Sequence, residues 1–543
     1  MAVIIQEDYA SFELTRVLKQ KGYPLVKVVK DNGDKPLFYD LPKDHPNWND
    51  CDAWYKPTLY QVQKWLDTQH GILVSVGYAP QSKYRYVIMY TDERSTTEPT
   101  ESRRNFDSTY KALQTGLMEA LKRIKKEDHQ MKTLTGTYGK DCKVFTDNIE
   151  PQALETIQKL LDNPVTEGKP VRIMPDTHDG KGIVIGFTMP VGEWVNPNHI
   201  GVDIGCGMLC AEIKSTITPD MYIDIDQCIR EVVPMGFEVR SQWFGKDLHV
   251  DTDFCSDILE KYVKILTGCN VDALLEKVGI SKDMWVNSIG TLGGGNHFIE
   301  LGRSEKTGRY YLTIHSGSRN FGKRVCDHHA KNIDGYRKML AEKVTLIKEV
   351  LPKQQWENAI KEAKRQLQGR EGYLTGLAKE EYLNDMYIAQ EYASVNRYAI
   401  LHFILKRMGW KSGKVIETVH NYISPKDRII RKGAVSAHLC EELIIPMNMA
   451  DGILLCCGKG NEEWNCSAPH GAGRLFSRTA AKEQLSMDEF RQRMENVYST
   501  SVCESTLDES PMAYKPTNEI RSLIEPTVEV LDVIKPVINL KAK

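Results

Sequence analysis

Apolar positions in the first 126 residues change period twice. Pro57 suits the first turn of a helix, and Leu59, Val62, Trp65 and Leu66 recur after it at helical spacing. Two strand-like runs come next, Ile72–Tyr78 and Tyr84–Tyr90, the second centred on Val87 and Ile88. Beyond a polar loop rich in Thr, Ser and Glu, the residues Leu113, Leu117, Ala120, Leu121 and Ile124 share one face of a helix predicted over 109–126. The pattern predicts a small α-β-β-α module. Its basic residues, Arg103-Arg104, Lys122-Arg123 and Lys125-Lys126, could touch phosphate but read first as a solvated helix end. No residue of the module suggests catalysis.

The pattern changes character near residues 127–137. This predicts an accessory module over 1–134 and a single large α/β unit over 135–543. In the second unit, strand-like runs at Val171–Met174, Ile183–Phe187 and Tyr310–Ile314 alternate with long helical stretches. The longest helical region spans roughly 334–410, with breaks near Pro352 and Gly369–Gly372. Met386, Ile388, Ala389, Tyr392 and Ala393 are its core-facing positions. No repeat of 20–50 residues and no low-complexity tract is present.

Composition narrows the picture. The 543 residues are 41% hydrophobic and 27% charged, which excludes global disorder. No apolar run approaches the ~20 residues of a membrane span, and the start lacks a basic n-region and a long apolar h-region. The expectation is a soluble, cytoplasmic protein without membrane contact. A formal net charge of −2 leaves nucleic-acid binding to local basic patches. The 13 cysteines include Cys51, Cys142, Cys228, Cys255, Cys269 and Cys326 in unlike contexts, which speaks for a reducing compartment rather than a disulfide framework.

Six segments place polar residues among small ones. Met174-Pro175-Asp176-Thr177-His178 carries a carboxylate and an imidazole at a strand end, suited to a metal, a phosphate or an orienting hydrogen bond. Gly201-Val202-Asp203-Ile204-Gly205-Cys206-Gly207 sets a carboxylate and a thiol three residues apart, and a thiolate can bridge two cations. Gly293-Gly294-Gly295-Asn296-His297-Phe298-Ile299-Glu300 opens room for a phosphate or ribose, yet lacks the Lys-Ser/Thr of a Walker loop. His315-Ser316-Gly317-Ser318-Arg319 and Thr418-Val419-His420-Asn421 both end apolar runs. Taken singly, each admits a structural reading: a turn aspartate, a packed cysteine, a core histidine. Three histidines with an Asp/Cys pair point to a two-metal centre. In Ser467-Ala468-Pro469-His470-Gly471-Ala472-Gly473-Arg474, a lone imidazole among tiny residues can attack phosphorus, and the guanidinium can offset charge.

In this order the segments, with the late Ala513-Tyr514-Lys515, resemble the RtcB family of RNA-splicing ligases from about Phe145 onward. The resemblance implies a mixed α+β catalytic domain, its β-sheets surrounded by helices about a deep two-metal cleft. It implies two Mn²⁺ ions per site, one on Asp203 and His297, the other on His315 and His420, with Cys206 bridging. His470 would take GMP from GTP as a covalent phosphoramidate. Arg474 would bind the guanylate and offset its charge, and Asp176 and His178 would sit near the metals or the RNA end, the three serving catalysis with His470. The guanylate would lie against Asn296, His297, Phe298, Ile299, Glu300, His420, Asn421, Pro446, Asn448, Gly471, Ala472, Gly473 and Lys515, with Glu300 on the guanine N–H edge. The reaction would join RNA ends bearing 2′,3′-cyclic phosphate or 3′-phosphate to 5′-hydroxyl ends through RNA-3′-pp-5′-G, in RNA repair or tRNA splicing. An archease-like activator is among the partners implied.

The chain departs from the family in three places. Many members carry Pro-Gly-Ser-Met-Gly-Thr where this chain has Pro446-Met447-Asn448-Met449-Ala450-Asp451. Gly207-Met208 replaces Gly-Val-Arg, and residues 1–134 have no counterpart, which marks a divergent branch. The first departure raises the alternative of a metal-dependent 2′,3′-cyclic phosphodiesterase, and the added N-terminal module that of an RNA-end- or nucleotide-binding protein without ligation.

Overall fold

The computed structural model describes residues 131–241, 271–331, 335–367 and 372–542. In the N-terminal part it describes 72–79, 83–90, 100–101, 108–123 and the single positions Val62, Leu66 and Phe106. The predicted helix start at Pro57 and Leu59, Trp65, the pairs Arg103-Arg104 and Lys125-Lys126, and Cys51, Cys255 and Cys269 lie outside the described residues. The chain divides into two compact units, Met1–His129 and Gln130–Lys543.

In the first unit, β1 (Ile72–Ala79) and β2 (Lys83–Tyr90) form an antiparallel hairpin extended by the short β3 (Thr100–Glu101), which the apolar pattern did not predict. The helix Thr109–Arg123 buries Ala112, Leu117 and Ala120. Gly116 lets it close on the sheet, because a Cβ there would stand 2.8 Å from Tyr86 Cβ and Val74 Cγ1.

The second unit is mixed α/β. It opens with β4 (Lys132–Leu134), whose antiparallel pairing with β5 (Cys142–Val144) makes it part of this unit rather than of the first. Next come β6 (Val171–His178), β7 (Ile185–Pro190) and β8 (Gly207–Ile213). β9 (Phe298–Ser304) and β10 (Tyr310–Ser316) precede a long helical stretch. After it lie β11 (Ser412–Val419), β12 (Asn421–Ile423), β13 (Ile429–Lys432) and β14 (Ala434–Ser436). The last four are β15 (Glu442–Pro446), β16 (Ile453–Gly458), β17 (Ser467–Pro469) and β18 (Val528–Leu540).

Two sheets dominate. A seven-stranded sheet runs β11-β8-β10-β9-β18-β16-β15, antiparallel at every step. A six-stranded sheet runs β12-β13-β7-β6-β5-β4, and only β5–β6 is parallel. β14 and β17 form a separate pair. β6 continues four residues past its predicted end at Met174, with a register shift between Ile173 and His178, so Asp176 lies within the strand.

The predicted helical region resolves into helices at Gly335–Val350, Trp356–Leu367 and Gly376–Met408. The last has 33 residues and ends at Gly409, whose φ of 64° is the left-handed conformation of a helix C-terminus. It is buried on several faces, so polar Asn396 and Arg397 sit inside it with full burial. Among the described residues, no helix is long and apolar enough to cross a membrane, and the ten described cysteines are free thiols.

Candidate metal and nucleotide site

Strand order explains how distant histidines meet. Along β11-β8-β10-β9, Val419 pairs with Gly207, Ser316 with Gly207 and His315 with Phe298. The same edge of the sheet therefore carries His420 just after β11, Cys206 just before β8, His315 near the end of β10 and His297 just before β9. Cys206 Sγ lies 3.4 Å from both His297 Nε2 and His315 Nε2. His315 Nε2 is 3.4 Å from His420 Nε2, and His297 Nε2 is 3.0 Å from Asp203 Oδ2.

Two donor clusters result, Cys206–His315–His420 and Asp203–Cys206–His297, each with its ligand atoms within 4.8 Å of one another. The sulfur is common to both. A spacing of 3.4 Å is close to the about 3.5 Å separating sulfur and imidazole nitrogen when both bind one tetrahedral ion. Carboxylate, imidazole and thiolate together suit a divalent transition metal.

The surroundings prepare these donors. The Asn296 carbonyl stands 3.1 Å from His315 Nδ1; accepting its proton leaves Nε2 free to face the sulfur. Burial, then neighbouring imidazoles, hold His315 and His420 well below their ordinary pKa, so both are neutral ligands. Burial pushes Asp203 up, but the hydrogen bond and charge of His297 outweigh it and bring the carboxyl to about 2. Burial and the neighbouring Asp203 raise the Cys206 thiol well above its usual value, so its proton must leave when a cation binds.

His470 comes from the other layer, directly after β17. Asp176 Oδ2 lies 2.6 Å from His470 Nδ1 and also accepts the backbone N–H groups of His470 and Gly471. This carboxylate holds the proton on Nδ1 and leaves the Nε2 lone pair available. The His470 ring centroid is 4.9 Å from that of His420. Gly473, at φ 76°, packs against the Asp176 backbone where no side chain fits. His178 also lines the cavity; burial and the adjacent His470 drive it down to about 4.

The cavity has a volume of about 320 Å³. Phe298 and Glu300 line it, whereas the Ile299 side chain is fully buried in the core with Leu301, because strand alternation sends it to the opposite face. Lys515 also lies outside that lining. Its ammonium donates to the carbonyls of Asn148, Pro175 and Thr177, and it stays behind β6, away from the lining.

Asn448 and Asn421 both reach the cavity with their amides engaged. Asn448 Oδ1 accepts from Ala450 and Asp451 N–H, while Asn421 bridges the Asp203 carbonyl and Gly433 N–H. Pro446, Gly471 and Ala472 complete that wall. Arg474 lines the cavity tethered to Glu509 at 3.3 Å and to the Asp508 carbonyl.

Several residues were not singled out in the sequence. Glu509 draws Arg474, Arg478 and Lys541 to one corner of the cavity, leaving excess positive charge there. Lys541, directly after the apolar β18, is 3% exposed with its ammonium 3.0 Å from Glu509. Its position next to a strand was the available signal. Opposite it, Glu300 accepts from Asn539 at 2.8 Å, while its other oxygen, Oε1, is buried without a partner. Burial raises Glu300 to about 8, against Asn539 and Lys541.

Residues 163–542 match the family model described as tRNA-splicing ligase RtcB. The RNA-splicing ligase RtcB of Escherichia coli strain K12 is 30% identical over 404 residues, covering 69% of this chain and 90% of the relative. The tRNA-splicing ligase RtcB of Archaeoglobus fulgidus is 26% identical over 421 residues, 65% of this chain and 83% of its own. That of Methanococcus maripaludis is 23% identical over 465 residues, 72% and 91% respectively. With a match over well more than half its length, the chain belongs to the RtcB family of RNA ligases.

Proposed function

We propose that the protein joins RNA ends bearing 2′,3′-cyclic phosphate or 3′-phosphate to 5′-hydroxyl ends, using GTP and Mn²⁺ and a guanylated His470. The observation that carries this reading is the Asp176–His470 pair, whose free imidazole nitrogen belongs to a ring 4.9 Å from a candidate metal-ligand ring. Asp176 orients the imidazole and offsets the charge it gains when Nε2 bonds to the α-phosphorus of GTP and pyrophosphate departs. Gly471 to Gly473 carry no bulky side chain against the incoming phosphate. The unpartnered Glu300 oxygen suits the two N–H donors of guanine, and the Arg474, Arg478 and Lys541 corner suits phosphate charge.

Asp203 and His297 would hold one Mn²⁺ and His315 and His420 the other, with Cys206 shared. The ions would supply stabilisation of the negative charge on the reacting phosphate. The donor spacing supports this ligand set.

Incubation with labelled GTP and Mn²⁺ tests the proposal. The label is expected on the protein as an acid-labile, alkali-stable adduct and lost in His470→Ala. Asp176→Asn is expected to slow labelling by about 10²- to 10⁴-fold, as when the carboxylate partner of a catalytic histidine loses its charge. Label retained in His470→Ala would end the reading. The Asn448 substitution keeps the phosphodiesterase alternative in view: cyclic-phosphate RNA opened but never joined, with or without GTP, would establish it.

A further inference from the structure

Beyond the cavity, a second concavity of about 410 Å³ lies along the helix Arg319–Lys331, which begins three residues after Ser316 closes β10. Asn320, Lys323, Arg324, His328 and Lys331 line it, spaced as one face of the helix. Among the described residues its one carboxylate is Asp327, already paired with Lys323 at 2.5 Å. Arg324 and Lys331 are exposed cations, and no ion pair among the described residues engages them. From Asn320 to Lys331 the helix advances about 16 Å.

This face is joined to the catalytic centre by buried contacts. Lys432 is 4% exposed, and its ammonium donates to the carbonyls of Lys181, Ile183 and Asn198. It thus ties the loop after His178 to the short 3-10 turn Pro197–His199. Cys326, on the buried side of the basic helix, contacts the Pro197 carbonyl. Lys181 is exposed on that loop. The hydrogen bond from Lys323 holds Asp327 below the usual carboxylate range against slight burial, and the charges of Lys181 and Lys331 add to it, so both ammonium groups lie near the groove.

We propose that the groove on the Arg319–Lys331 helix, continued by Lys181, is a track for the phosphate backbone of an RNA strand whose reacting end lies in the cavity. The proposal rests on the ligase reading above. Arg324 and Lys331, without an ion-pair partner among the described residues and spread along the helix, suit a polyanion rather than a compact anion. No phenyl, phenol or indole ring lines the groove on which a base could stack, so contacts fall on phosphates and sequence is not read there.

The test uses the full chain and the triple variant Lys181→Ala, Arg324→Ala, Lys331→Ala. Binding of a labelled single-stranded RNA ending in 2′,3′-cyclic phosphate is followed by anisotropy at several salt concentrations. Loss of three phosphate contacts is expected to weaken binding by about tenfold or more and to flatten the log–log salt slope by about 2. Labelling by GTP is expected to remain at the unsubstituted level, which also shows that the variant folds. Unchanged affinity and slope overturn the track and favour an acidic protein partner for the patch. If RNA binding falls but the unsubstituted chain takes no label from GTP, the track stands and the guanylated-histidine reading fails.

Discussion

Glu300 concentrates the chemistry of the proposed nucleotide pocket in one carboxyl group. Burial raises its pKa to about 8, so near neutrality most molecules carry it protonated, with one oxygen unpartnered. The two N–H donors of guanine require the carboxylate. Guanosine affinity, measured by calorimetry without metal, should therefore rise about eightfold between pH 7 and pH 8.5. Glu300→Gln should bind more weakly and show no such rise; a flat profile in the unsubstituted protein would remove guanine from this group. The sign for stability runs the other way. A carboxyl raised in the folded state stabilises it below its unfolded pKa of about 4.3, and that contribution disappears as pH climbs through 8. At this scale, legibility depended on neighbours. Asp203, Cys206, His297 and His470 stood out because glycines or other tiny residues flank them. Lys541 and Asn539 close a strand with no such marker. The three carbonyls that hold the Lys515 ammonium were not legible either, because a late lysine after a tyrosine says nothing about which way its ammonium points.

Elements decide what residues cannot. The four strand ends meet because the sheet order is β11-β8-β10-β9, an order that sequence spacing does not encode. The clamp behind them was equally hidden. Arg397 donates to the carbonyls of Gly205 and Ser316 and pairs with Glu417 at 2.9 Å, while Asn396 donates to the Gly317 carbonyl. One buried helical turn thus holds the loop before Cys206 and the loop after His315 in mutual register. A charged residue inside the apolar run Val395 to Leu405 was its only trace in the sequence. Arg397→Met leaves Glu417 and two carbonyl oxygens without this partner. It should destabilise the fold by about 3–5 kcal/mol in urea titration. It should also weaken Mn²⁺ binding, read by calorimetry on the folded fraction. An unchanged midpoint would show that the clamp is dispensable.

For the whole molecule, the division into two units implies separable tasks. Among the described residues, those of the candidate metal clusters and of the cavity lie in Gln130–Lys543. A fragment beginning at Gln130 should accept label from GTP within about threefold of the full chain, by the same adduct assay; a much larger loss would make the first unit part of the catalytic apparatus. The fragment should start there rather than at residue 135, since Lys132–Leu134 are the edge strand of the six-stranded sheet. The α/β class was plain from the alternation of apolar periods, whereas the two-sheet arrangement arises from pairings far apart in the chain. β18 shows what such pairings entail. It sits between β9 and β16 yet comes after both in the chain. On a ribosome, the larger sheet must wait as two open-edged halves until residue 540 emerges, and catalytic competence arrives only with that final insertion.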